Sequence, residues 1–381
     1  MRPRQGWRLA LEPFGTDIAW SLLSILEGSA TTDVAAGFLR NMSWLKELVD
    51  QIDQPAGHAD DSAWPEVLTT PATEHSLALA LRCLIPARLR QALLRDAGSE
   101  VTRHTVTVVA RGWLAKAPWD TVALDDLGTI RLMECARLLN GLSPALFSGL
   151  DGRPRHATSP AARSLAIIDP GPVSSRSEPP LYAGRQPAIL ADHGLVPRDS
   201  RYSRRAISTD EFGVQLRDPA GWSNLLYLGH VRPGPADMPA GTGLVFADGT
   251  RTDLLTARTW LAEPERWPSP ERVALIGCAS DGGAAFEQTG LVVAAIRAGA
   301  RIVTSTRWTL PTDPAPPSPP TTSELACAVN AAHAAADPVD AVRRWQLDRL
   351  AAWRAHPGRE TSPVVWASLV TSYAPKDVTG G

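Results

Sequence analysis

The chain has 381 residues, enough for one large or two ordinary domains with a sizeable core. Its 38 Lys and Arg balance 40 Asp and Glu to a formal net charge of −2, so no global field argues for nucleic acid or an anionic membrane. No apolar run approaches the roughly 20 residues that a bilayer-spanning helix needs, and the four cysteines (Cys83, Cys135, Cys278 and Cys327) are too widely spaced for a disulfide framework.

These features lead us to expect a reduced, cytoplasmic setting, in which a nucleophilic thiol stays usable. The basic start, Met1-Arg-Pro-Arg, is followed by Glu12, Gly15 and Asp17, which interrupt anything like a signal-peptide core. Over residues 1–50, apolar residues recur at mixed three- and four-residue spacing (Ile18, Leu22, Ile25, Leu26, then Phe38, Trp44, Leu45, Leu48), which predicts helices. Pro55, Gly57, Pro65 and Pro71 then predict a loop, so residues 1–75 read as an N-terminal helical segment and 76–381 as the main domain. A second helix of about five turns is expected from Leu77 to Leu94. Cys83 and Cys135 fall at apolar helical positions and read as small core residues.

Strand signals begin with the alternating, β-branched His104–Ala110 and the shorter Ser164–Ile168, which ends at Asp169-Pro170. Further runs cover 224–229, 243–247, 272–277 and 301–305, while 364–370 reads as strand or helix end. Helical patterns lie between them at 254–261, 286–298, 323–335 and 339–355. Apolar strands alternating with amphipathic helices imply a largely parallel sheet covered on both faces. In such sheets functional groups gather at the carboxyl ends of strands. The Pro-rich stretches 171–187 and 311–320 read as stiff connectors near that rim.

Two of these strands end on groups suited to acyl transfer. Residues 224–229 deliver His230, and 272–277 deliver Cys278, followed by Ala-Ser-Asp-Gly-Gly283. A thiol attacks a carbonyl as thiolate or with a base to take its proton, and an imidazole is the natural partner. The two lie 48 positions apart, about one helix-bearing crossover, so adjacent strands would bring their tips together. An oxyanion formed on the way needs converging donors, for which the backbone N–H groups of Cys278 and Val231 are the candidates. Other readings stand beside this one. His230 would serve equally as a capped, half-buried histidine, and Cys278 as packing. A phosphate-cradling loop after Gly277 is a further reading, against which stands the lack of both the Lys-Ser/Thr of a P-loop and dinucleotide glycine spacing. The other histidines have no acidic or Cys neighbours at ligand spacing, so neither a metal nor another cofactor is expected.

With these residues in view, the chain resembles the CHAT domain, a bacterial branch of the caspase-like cysteine peptidases. The resemblance is carried by Leu225-Leu-Tyr-Leu-Gly-His230, Val273-Ala-Leu-Ile-Gly-Cys278, Glu287-x-x-Gly-Leu291 and Ala298-Gly-Ala-Arg-Ile-Val-Thr-Ser-Thr-Arg-Trp308, with Asp313 beyond. Shorter pieces arrive in order around them, including Ala117-Pro-Trp-Asp120, Arg131-Leu-Met-Glu134, Ala166-Ile-Ile-Asp-Pro170, Arg343-Arg-Trp-Gln346 and Ser362-Pro-Val-Val-Trp-Ala367, so roughly residues 77–374 take part.

The resemblance implies an α/β fold, a caspase-like three-layer α/β/α sandwich with a largely parallel central sheet, preceded here by the N-terminal helices. It implies a thiol endopeptidase with His230 as general base and acid and Cys278 as nucleophile. The partner would be a protein substrate, expected from a nearby gene, and the enzyme a regulated effector awaiting a signal. Asp169 would lie near the pocket for the residue before the scissile bond. The segment with Arg307 and Trp308, and Asp313 after it, would border the substrate groove. Three departures stand out. Many CHAT domains have Gly after the catalytic His, where this chain has Val231. Ile276-Gly277 precedes the cysteine without the acidic or amide residue seen in metacaspases or caspases, and no 34-residue repeat is visible. Val231 is the feature that favours the alternative, a catalytically silent caspase-like interaction module.

Overall fold

Largely apolar runs with no polar face form strands only where both faces of the sheet are covered. That condition holds for the run Asn224–Leu228 (β7), buried at all five positions. In the computed structural model, which describes residues 5–26, 32–52, 64–98, 104–142, 163–172, 181–182, 188–196, 205–235, 239–277, 290–311, 313 and 321–374, the chain is α/β and divides into two compact units. One takes residues 1–141, 283–287 and 339–368; the other takes 142–282, 288–338 and 369–381.

The first unit holds β1 (Gln5–Phe14), β2 (Asp17–Leu26), β3 (Thr32–Leu39), β4 (His104–Ala110) and β5 (Ala136–Asn140), in the order β3-β2-β1-β4-β5. The helices expected over residues 1–50 are therefore largely replaced by three antiparallel strands. Only α1 (Ser43–Asp50) is helical. Two physical signals explain the correction. Trp7, Leu9 and Leu11 alternate inward along β1, a period of two. β2 carries apolar residues on both faces (buried Ile18 and Leu22, exposed Ile25), and pooling them mimics helical spacing. The turn Gly15-Thr16 joins the strands as a two-residue hairpin with Gly15 at φ 62°, a conformation natural to glycine. β1 also pairs in parallel with β4, Gln5 opposite His104, so the segment expected to stand apart up to residue 75 is built into the same sheet as β4.

The single helix expected between Leu77 and Leu94 is two, α2 (Pro71–Leu81) and α3 (Ala87–Arg95). Pro86 disfavours helix at the residue before it, and Ile85 is extended at φ −96°, ψ 111°. The unit is completed by α4 (Leu132–Cys135), α10 (Pro338–Ala355) and α11 (Pro363–Trp366). From α10, the Arg343 guanidinium donates to the Met133 carbonyl at 2.7 Å and to the Glu134 carbonyl at 2.9 Å, satisfying exposed acceptors of α4. Run 364–370, left open between helix and strand, is both: α11 ends before the last strand begins.

The second unit holds β6 (Ser164–Ile168), β7, β11 (Arg272–Ile276), β12 (Ile302–Thr306) and β13 (Leu369–Tyr373), ordered β13-β12-β11-β7-β6. Four run parallel and β13 is antiparallel to β12. Leu225, Tyr227, Val273, Leu275 and Val303 point to one face and share a core with α6 (Thr209–Leu216), α7 (Ala257–Ala262) and α8 (Leu291–Arg297). On the opposite face α9 (Thr322–Ala334) packs on β7 and β11, and its His333 meets Thr304 of β12. Helices on both faces make three layers in this unit, with the short α5 (Ala188–Asp192) against α9.

Run 243–247 is a strand but not a member of that sheet. β9 (Gly243–Asp248) lies between β8 (Val231–Arg232) and β10 (Arg251–Thr256) in a separate antiparallel sheet. The Asp248-Gly249-Thr250-Arg251 turn, with Gly249 at φ 60°, directs the hairpin. The helix expected from residue 254 consequently starts at Ala257, where the Thr256 hydroxyl accepts the Thr259 N–H at 3.1 Å as an N-cap. Among the described residues, no helix is long and apolar enough to cross a membrane.

Candidate active site

Parallel strands end at a common edge, and here the edge is tightly laced. Ile168, Leu228 and Ile276 stand in register as the last residues of β6, β7 and β11. One step beyond, the Asp169 N–H donates to the Leu228 carbonyl at 2.6 Å, and the Gly229 N–H donates to the Ile276 carbonyl at 3.1 Å. The Thr306 hydroxyl at the end of β12 donates to the Gly277 carbonyl. A Cβ on Gly277 would lie 2.4 Å from the Gly229 carbonyl oxygen and 2.9 Å from Cγ2 of Val231. Only glycine fits. The residues immediately preceding His230 and Cys278 in the chain are thus in backbone contact.

His230 is held by its own carbonyl. That oxygen accepts the Val245 N–H of β9 at 3.0 Å and lies 2.8 Å from the Tyr227 hydroxyl, which is also 2.8 Å from the Val245 carbonyl. Tyr227 is wholly buried beneath the turn it braces. A Cβ on Gly229 would sit 2.7 Å from that same hydroxyl, so Tyr227 and Gly229 are mutually fitted. His230 itself is half-buried. Val231 belongs to β8, pairs with Leu244 and is 8% exposed. Among the described non-glycine residues only Asn41 and Asp169 have positive φ, so the position after His230 does not use the conformation for which glycine would be needed.

Beside these tips is a small, solvent-open hollow. Among the described residues it is lined by Leu181, Tyr182, Leu228, Gly229, His230, Ile276, Gly277, Leu310, Pro311, Asp313 and Thr322, and its surface is almost wholly apolar. The Tyr182 hydroxyl is hydrogen-bonded to the Ser323 hydroxyl at 2.8 Å, and burial pushes the phenol pKa up. An uncharged phenol is therefore part of the wall.

The other sequence-predicted groove residues take distinct places. Asp169 is fully buried at φ 45°, and its Oδ2 accepts the Leu181 N–H at 3.0 Å, so it shapes the hollow from behind. Asp313 Oδ1 accepts the N–H groups of Thr321 at 2.8 Å, Thr322 at 2.7 Å and Ser323 at 3.3 Å, while Oδ2 accepts the Ser323 hydroxyl. It caps α9 from outside the helix, meeting amides that have no intrahelical acceptor. Trp308 is a core residue, 1% exposed, and Arg307 is half-buried without lining the hollow. Cys278, its backbone N–H, Gly282, Gly283 and Glu287 lie outside the described residues.

The remaining thiols differ from one another. Cys135 and Cys327 are buried as their apolar settings demand, and burial raises their pKa values to about 11 and about 12. Cys83 is exposed rather than a core residue, its Sγ 3.1 Å from the Ala80 carbonyl oxygen at the α2 terminus. No three His, Cys, Asp or Glu converge as a metal site among the described residues. Sequence reasoning did not single out Tyr227, Thr306 or Tyr182. Tyr227 sits inside the His230 block as one more apolar strand residue, and Tyr182 inside a stretch read only as a connector. Chemically, the arrangement offers His230, its backbone held by Tyr227 and Val245, in the lining of an apolar hollow. The chain matches no known protein-family model, and no curated protein matches it.

Proposed function

We propose that this protein is a cysteine endopeptidase of the caspase-like CHAT type, working through His230 and Cys278. The observation that carries the reading is the contact between Gly229 and Gly277. It joins the two strand ends from which the sequence continues into the imidazole and the thiol. Parallel pairing of β7 with β11 and a three-layer arrangement in this unit support the caspase-like part of the proposal. The raised pKa values of Cys135 and Cys327 support Cys278 as the reactive thiol, because buried, protonated sulfur is a poor nucleophile.

In the proposed reaction His230 takes the thiol proton and the Cys278 sulfur attacks the scissile carbonyl carbon. Backbone N–H groups of Cys278 and Val231 stabilise the oxyanion. The carbon–nitrogen bond then breaks, and the imidazolium returns the proton to the leaving amine. Water, deprotonated by His230, hydrolyses the thioester and restores the thiol. The substrate is another protein, for which products of neighbouring genes are the first candidates.

The test is to incubate wild type, Cys278→Ala and His230→Gln with such candidates and identify new termini by mass spectrometry. Cleavage by wild type should fall about 10⁴-fold or more in both variants. Undiminished cleavage by Cys278→Ala would remove the cysteine from the mechanism. A wild type that cuts none of the candidates, yet binds one equally well as Cys278→Ala, would point to the silent interaction module.

A further inference from the structure

The hollow beside His230 has a chemical character that neither strand-end motif specifies. Its described lining is mostly apolar (Leu181, Leu228, Ile276, Leu310, Pro311), and no Lys or Arg is among those residues. Its one lining carboxylate among the described residues, Asp313, is committed to the protein. Asp313 receives three successive amides and two hydroxyls at the head of the 13-residue α9. Asp169 is fully buried, with Oδ2 on the Leu181 N–H, and does not line the hollow. A carboxylate has about four lone-pair sites, so Asp313 has none to spare for an incoming guanidinium. The helix N-terminus also offsets its negative charge.

We infer that this hollow receives an uncharged, medium-sized apolar side chain of the peptide substrate, of the Leu, Met or Phe type, and that Leu181 and Leu310 set the choice. The inference rests on the endopeptidase reading and names its substrate class. A Lys or Arg side chain entering here leaves its hydration for an apolar cleft whose lining carboxylate among the described residues, Asp313, is already engaged. An Asp side chain meets no cation among the described lining residues and meets the carboxylate of Asp313. An apolar chain loses no hydration of a charge on entering and packs against this largely apolar lining. The Tyr182 phenol, held to Ser323 and kept protonated by burial, adds a rigid uncharged surface.

Two measurements separate this inference from the reading beneath it. Binding is measured by calorimetry on the Cys278→Ala protein with acetylated tetrapeptide amides that differ only in the last side chain: Leu, Met, Phe, Arg or Asp. The apolar series should bind about tenfold or more tighter than Arg or Asp. Leu181 is half-buried and its N–H, not its side chain, bonds Asp169, so Leu181→Glu is expected to fold. It should reverse the order in favour of Arg, with circular dichroism matching the parent. Cleavage of the corresponding longer peptides by wild type is then scored. Equal or tighter binding of the Arg or Asp peptide, an order unchanged by Leu181→Glu, or cleavage confined to bonds after charged residues, overturns the inference and leaves the endopeptidase standing. Apolar-selective binding without cleavage upholds the hollow's preference and removes the endopeptidase.

Discussion

A methyl group on Gly277 would collide with the backbone carbonyl of Gly229, 2.4 Å from the new Cβ, and that oxygen cannot swing aside as a side chain end would. Gly277→Ala should therefore force the tips of β7 and β11 apart and destabilise the protein by about 2 kcal/mol or more. A urea midpoint within error of wild type would contradict the close approach. Gly229 is restricted by a different partner, the Tyr227 hydroxyl, which is itself engaged with the His230 and Val245 carbonyls. At this scale the sequence was informative about identity and silent about contact. Gly229 and Gly277 were visible as the residues before His230 and Cys278, but not that their backbones touch. Val231 looked like a defect when compared with a glycine, whereas its strand backbone has no use for glycine's freedom.

Single elements here depend on groups far away in the chain. α9 is capped by Asp313, eight residues before Thr321, across the Pro-rich stretch. Replacing Asp313 by Ala strands three N-terminal amides and should cost about 1–2 kcal/mol. Amide hydrogen exchange at Thr322 and Ser323 should accelerate while that of β7 stays slow. Uniform acceleration of both would show that Asp313 does more than hold one helix end. Elements with one dominant periodicity were legible from sequence, such as β4, β6 and α10. β1–β3 were not, because β2 presents apolar residues on both faces and the two sets together counterfeit a helix. Nor was the break between α2 and α3 taken from Pro86, although that signal was local and present.

The whole second unit carries a titratable group that its stability must accommodate. His333 is completely buried between α9 and β12, its Nε2 2.9 Å from the Thr304 hydroxyl, and burial, with the Arg272 guanidinium adding to it, lowers its pKa to about 3. Above pH 6.5 the imidazole is neutral in both folded and unfolded chains and adds no slope. Between pH 6.5 and about 3 the unfolded chain binds a proton that the folded one refuses, so stability falls as pH falls. The loss should reach the order of a few kcal/mol at the acid end. His333→Gln should flatten the urea-midpoint profile across that window, and an unchanged slope would place the acid sensitivity elsewhere. The amino-acid sequence by itself determined the α/β class, the strands that end at His230 and before Cys278, and the family resemblance behind the proposed chemistry. Those follow from local pattern, because buried parallel strands announce themselves as short apolar runs. Only the tertiary structure decided that β9 leaves the main sheet, that β1, β2 and β3 are strands, that Asp313 spends its carboxylate on backbone amides, and that the hollow beside His230 is apolar. Each of those depends on which distant groups meet, and a carboxylate's availability is a property of its neighbours in space rather than in the chain.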